Sequence, residues 1–159
     1  MKFLVLTDIH GSSKYLKLAM EKYNELKCEK ILLLGDILYH GPRNDLPLEY
    51  NPKEVISILN SYKDKILCVK GNCDAEVDEM VLEFPLYPTV IINVGGAKLE
   101  LVHGHNLEEC SGEGYVLHGH THVNNVNDNI INIGSLSIPK DGHHTYALIE
   151  DDMLTSFDL

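Results

Sequence analysis

Residues 115–124 read YVLHGHTHVN, which sets His118, His120 and His122 two positions apart. In an extended chain alternate side chains leave the same face, so the imidazoles can stand together. Imidazole is the commonest metal ligand and titrates close to neutral pH. Elsewhere the chain carries Asp8-Ile9-His10, Gly35-Asp36, Gly71-Asn72-Cys73-Asp74 and His103-Gly104-His105. Each group sets oxygen or nitrogen donors beside a glycine at the end of an apolar run. Singly, each has an ordinary reading. Asp8 can cap a helix, Asp36 and Asn72 can be turn residues, and His103 can be a buried, hydrogen-bonded histidine. Together, with five of nine histidines between positions 103 and 122, they read as the donors of one metal site.

Those donors need elements that bring them together. KFLVLT (2–7), KILLLGD (30–36) and KILCVKGN (65–72) are apolar runs of the buried-strand kind. Between them, helical spacing over 13–27 follows Ser12-Ser13, and a second helix over 53–61 opens after Pro52. Strand–helix–strand order predicts right-handed crossovers and a parallel sheet. After residue 85 the pattern turns to hairpins, read as antiparallel: 89–94 with 97–105 across Gly95-Gly96, a second within 123–135, and a third over 144–158. The expected class is α/β, with two packed mixed sheets flanked by helices and residues 1–159 forming one domain. In such folds ligands bind beyond the carboxyl ends of the strands, so the five tips can converge.

Composition narrows the function. A net charge of −11 argues against stable nucleic-acid binding, which needs clustered Lys and Arg. It leaves an anionic substrate open, because bound divalent cations reverse the local field. No apolar run approaches a membrane span, and the N-terminal apolar run reads as a first strand. Cys28, Cys68, Cys73 and Cys110 have no paired spacing and read as reduced thiols in a cytoplasmic protein.

The set Asp8-x-His10, Asp36, Asn72, His103 and His120-x-His122 resembles the calcineurin-like metallophosphoesterases, with their D-x-H, G-D, G-N, H-G and G-H-x-H pattern. LGDILYHGPRND (34–45), VKGNCDAEVDEM (69–80) and SLSIPK (135–140) are similar to the YfcE-type small bacterial phosphodiesterases within that family. The resemblance implies a four-layer α/β/β/α fold and two metal ions. One would take Asp8, His10, Asp36 and His122, the other Asp36, Asn72, His103 and His120, with Asp36 shared. Oxygen and nitrogen donors in that number suit Mn²⁺, the expected metal, with Ni²⁺, Fe²⁺ or Zn²⁺ as alternatives. The implied activity is hydrolysis of a small or nucleotide-like phosphodiester by a hydroxide that the two cations activate.

Other positions carry narrower expectations. His105 and His118 each lie two residues from an expected ligand. His105 can steady it, and His118 reads as a strand residue. Arg43, with His40 on the same loop, is a candidate substrate contact because guanidinium matches paired phosphate oxygens. Cys73 stands where many relatives have the histidine that protonates the leaving oxygen. Cations beside it would favour a thiolate, which gives no proton. Relatives also carry a longer stretch than the 13 residues from 106 to 118, which have room for one turn and a strand. Two alternatives stand beside the diesterase: a non-catalytic scaffold of the same fold, such as the retromer subunit, and a phosphomonoesterase. A homo-oligomer is compatible with all three.

Overall fold

The computed structural model describes residues 1–159. Fourteen regular elements follow in order: β1 (Lys2–Leu6), α1 (Ser13–Glu25), β2 (Lys30–Leu33), α2 (Pro52–Asn60), β3 (Ile66–Val69), α3 (Glu76–Val81), β4 (Leu86–Tyr87), β5 (Val90–Val94), β6 (Ala97–Leu101), β7 (Tyr115–His118), β8 (Asn124–Asn127), β9 (Ile130–Ile133), β10 (Thr145–Glu150) and β11 (Met153–Asp158). The Ser12 hydroxyl accepts from the Tyr15 N–H to start α1, and Asn51 does the same for α2 through the Glu54 N–H.

One sheet runs β11-β10-β1-β2-β3-β4 and the other β5-β6-β7-β9-β8. In the first, β1 to β4 are parallel, and the β10–β11 hairpin joins antiparallel to β1. Leu4, Leu6, Ile31 and Leu33 pack under Leu16, Met20, Val55 and Leu59 of α1 and α2. The alternate residues Phe3, Val5 and Leu32 turn to the other face, where they meet Leu99, Leu101, Leu117 and Ile133 of the second sheet. This is the expected α/β class, two packed mixed sheets with flanking helices. No helix is long and apolar enough to cross a membrane, and the four cysteines form no disulfide.

The expected antiparallel second half needs correction. The three hairpins are antiparallel, and both Gly95 and Gly96 take the positive φ a tight hairpin requires. But β7 pairs parallel with both β6 and β9. YVLH (115–118) is apolar in either direction, so its pattern holds no sign of orientation. The outermost layer is also thinner than in the α/β/β/α scheme. The 106–114 stretch affords only a 3₁₀ turn, Leu107–Glu109. Leu107 lines a surface cavity with His118 and Asn132, which alternate with the core residues Leu117 and Ile133 and so point away from the core. His118 is buried there, bonded to the Gly119 carbonyl at 2.9 Å. His144 stacks its ring on Tyr15, with centroids 4.0 Å apart, and bonds the Leu136 carbonyl.

Candidate active site

All seven expected ligands lie at the C-terminal ends of strands or in the turns that follow. The strands end earlier than their apolar runs suggest, because the chain must bend there. Asp8, His10, Asp36, His120 and His122 all have φ between 47° and 73°, the left-handed region that non-glycine residues rarely enter. Such conformations persist only where surrounding bonds impose them, and they gather at functional sites. The bonds are present. The N–H groups of Asp8 and His10 donate to the Gly35 and Asp36 carbonyls. Asp74 accepts from the N–H groups of Asp36, Ile37 and Gly71 at 2.6–2.9 Å, clamping the turns after β2 and β3. Burial pushes the Asp74 carboxyl up against the pull of these donors. Ser135 and Ser137 donate to the Asp8 carbonyl, so the SLSIPK stretch holds the first turn from above.

The donor atoms then meet. Asp8 turns Oδ2 to the Thr7 hydroxyl and the His120 N–H. Its other oxygen, Oδ1, is buried with no hydrogen-bond partner and lies 3.3 Å from His10 Nε2 and 3.2 Å from His122 Nε2. Those two nitrogens are 3.2 Å apart. Asp36 Oδ1 accepts from the Cys73 N–H, while Oδ2 stands 3.6 Å from His10 Nε2 and 3.1 Å from His103 Nε2. His120 Nδ1 is 3.0 Å from Asn72 Oδ1 and 3.2 Å from His103 Nε2. Ligands about 2.1 Å from a shared cation lie about 3.0–3.4 Å apart at octahedral or tetrahedral angles. All of these spacings but the 3.6 Å between Asp36 Oδ2 and His10 Nε2 fall in that range, as donors to a cation would. His10, His103 and His122 each bond a main-chain carbonyl through Nδ1, at 2.7, 2.7 and 2.6 Å, which directs the other nitrogen into the site. The residues fit divalent cations: two groups, Asp8-His10-His122 and Asp36-His103-His120, converge closely enough to hold one each.

Electrostatics agree. Burial opposes charge on Asp8, but the His10 and His122 imidazoles beside it hold its carboxyl far below the usual range. Burial also works against a charged His103, yet the bond to Asp36 and the charges of Asp8 and Asp36 lift it to about 9. Without a cation this nitrogen holds a proton at neutral pH, and a cation must displace it. Metal binding at pH 7.5 should therefore release protons, and affinity should climb with pH up to about 9. Calorimetry in buffers of different ionisation enthalpy reads this directly. An affinity flat from pH 7 to 9 would remove His103 from the ligand set.

The remaining expected residues divide. Arg43 lines a cavity of about 110 Å³ together with His10, Asp36, Asn72, His120 and His122. His40 does not; its ring packs edge-on against Tyr39 and Tyr50. His105 is exposed, its ring 5.5 Å from that of His103 and 6.1 Å from that of His120. Cys73 is half-buried, its sulfur near the His10 and Asp36 donors. Burial and the Asp36 charge push its thiol up to about 12, so the chain's own field keeps it protonated and opposes the expected thiolate. Lys140, which sequence reasoning missed, lines the same cavity as Arg43; its only signal was its place in SLSIPK. Gly119 is required by close approach. A Cβ there would overlap the Thr7 hydroxyl and the Asp8 carboxylate, so Gly119→Ala should weaken metal affinity by about 10- to 100-fold. Equilibrium dialysis checks this, and unchanged affinity would show that Asp8 tolerates displacement.

Parallel strands that end in Asp, Asn and His around two donor groups define a metallophosphoesterase centre. A family model for the calcineurin-like phosphoesterase superfamily domain matches residues 1–152, and the chain belongs to that family as a phosphoesterase. It is 36% identical to Phosphodiesterase YfcE of Escherichia coli K12 over 98% of this chain and 90% of that one. The solved structure of the E. coli YfcE phosphoesterase superposes with a TM-score of 0.90, covering 98% of this chain and 91% of that one. A Vps29 of Entamoeba histolytica complexed with zinc shares the fold at a TM-score of 0.63 and 22% identity, covering 99% of this chain and 91% of that one.

Proposed function

We propose that residues 1–159 form one cytoplasmic phosphodiesterase domain that uses two divalent cations, Mn²⁺ being the expected pair, to cleave a small or nucleotide-like phosphodiester. Asp8, His10, Asp36 and His122 hold one ion; Asp36, Asn72, His103 and His120 hold the other. The observation that carries this reading is Asp36 Oδ2, set between the inward nitrogens of His10 and His103 as a shared ligand must be. When bound, the ions supply Lewis-acid polarisation of the phosphoryl group and lower the pKa of the attacking water.

The chain's own residues bind and orient. Asn72, exposed at the mouth, offers a neutral oxygen that adds no negative charge where the phosphate enters. Arg43 and Lys140 flank the cavity and receive non-bridging phosphate oxygens, offsetting the acidity of the whole chain. His105 contacts the His103 and His120 rings from the solvent side and limits their movement. YfcE is named a phosphodiesterase, which supports a diester over a monoester.

The test is hydrolysis of bis-p-nitrophenyl phosphate and p-nitrophenyl phosphate by chelator-stripped protein reloaded with Mn²⁺. Faster diester cleavage, lost on stripping and restored on reloading, is expected. Silence on both esters with two ions bound would turn the reading toward a scaffold of the same fold.

A further inference from the structure

Far from the metal donors, one long strand edge has no partner. β11 ends its sheet and pairs with β10 in unbroken register from Met153 to Asp158. Just past the strand, the Leu159 N–H donates to the His144 carbonyl of the β10 side. Bonds between antiparallel strands recur at every second residue, so Met153, Thr155 and Phe157 turn their main-chain groups to β10. Those of Leu154, Ser156 and Asp158 turn outward, and nothing in the chain bonds them.

Six residues long, this edge exceeds those of β4, β5 and β8, which run two, five and four. Edge strands are commonly blunted by a lysine, a proline or a bulge, and MLTSFD has none of them. Its side chains are also ready for contact: Met153 is 70% exposed and Phe157 40%. A mainly apolar cavity of about 730 Å³ between the sheets borders the same strand, with Met153, Leu154, Thr155 and Ser156 in its wall.

The strand complements itself about Ser156. Antiparallel pairing on a two-fold axis there sets Leu154 against the partner's Asp158, and Thr155 against the partner's Phe157. Residues directly opposite must share a face, and these do. Leu154 packs toward the inter-sheet core, with Asp158 on its side, while Phe157 stacks on Tyr146 toward the helices, with Thr155 on that side. Every outward residue then meets another outward residue in a hydrogen-bonded position. An aromatic beside a β-branched residue is a favourable cross-strand pair, and symmetry supplies it twice. No like charges face each other, because the two Asp158 carboxylates stand at opposite ends of the ribbon.

We propose that two copies of the chain associate through β11, antiparallel about Ser156, joining their six-stranded sheets into one. Sedimentation equilibrium at about 50 µM protein, in about 0.3 M salt to screen the −11 of each copy, is expected to give a dimer. Ser156→Pro removes the central N–H donors without touching the bonds to β10, since that N–H faces outward. It should weaken association by about 100-fold, with circular dichroism confirming that the variant folds. Ser156→Cys tests the register without weakening anything. Opposite residues in a hydrogen-bonded pair have Cα atoms about 5.5 Å apart, within reach of a disulfide, so mild oxidation should link this variant into a covalent dimer. Thr155→Cys, whose counterpart lies two residues further along, and the native thiols should stay unlinked. A monomer at that concentration, or a dimer that survives Ser156→Pro and leaves Ser156→Cys unlinked, overturns the assignment.

Discussion

Asp36→Asn is expected to lower the metal content from two ions toward one and to cut kcat/KM on bis-p-nitrophenyl phosphate by about 10³-fold. That fold-change corresponds to about 4 kcal/mol, in the range of the several kcal/mol that Lewis-acid stabilisation supplies. Asparagine keeps the side chain's shape, and its carbonyl can still accept from the Cys73 N–H as Oδ1 does now at 2.9 Å. What it loses is the second carboxylate oxygen, set between His10 and His103. An amide nitrogen in that place is a donor without a lone pair for metal and cannot be shared. The same change removes the partner that lifts His103 to about 9, so proton release on binding the remaining ion should shrink. Metal analysis, calorimetry and turnover thus move together if Asp36 is the shared ligand. Two ions retained with undiminished affinity would show that it is not.

The candidate donors, which the structure brings together, stood out in the sequence because metal chemistry demands particular residue types. Asp, Asn and His beside glycine at the end of an apolar run are conspicuous in a chain whose strands are otherwise Leu, Ile and Val. The geometry beneath was hidden. Asp8, His10, Asp36, His120 and His122 occupy left-handed backbone, yet no composition rule marks a non-glycine residue for φ above zero. That conformation is imposed by contacts such as those of Asp74 with the Asp36 and Ile37 N–H groups after β2, which join residues 38 and 37 positions apart. The two-residue strand β4 escaped for want of any period, and the parallel pairing of β7 because orientation leaves no trace in a four-residue run. His40 misled for a related reason. Its loop borders the site, but Tyr39 and Tyr50 hold its ring against themselves, while Lys140 reaches the cavity from a stretch 97 positions further along than Arg43. Proximity along the chain to a ligand was a poor guide to proximity in space.

Cys73→His should raise hydrolysis of alkyl diesters by about 10²-fold, the lower end of what a positioned general acid contributes. An alkoxide is a poor leaving group and needs a proton as the bond breaks; a nitrophenolate leaves without one. The resident thiol is badly matched to the task. In the field of the chain alone it titrates at about 12, with burial and the Asp36 charge as the causes, too weak an acid to be a ready proton source near pH 7. Cations alongside would draw it toward thiolate, which holds no proton to give. An imidazolium at the same backbone position, anchored by the Cys73 N–H to Asp36, would titrate near the working pH. The gain should be confined to poor leaving groups, so the alkyl-to-aryl rate ratio is the decisive quantity. It should rise in Cys73→His with a new loss of rate at high pH as the acid deprotonates, and stay unchanged in Cys73→Ser. An alkyl-to-aryl ratio unmoved in the histidine variant would mean that proton donation does not limit this enzyme, and the thiol would then be a packing residue beside the metal ligands.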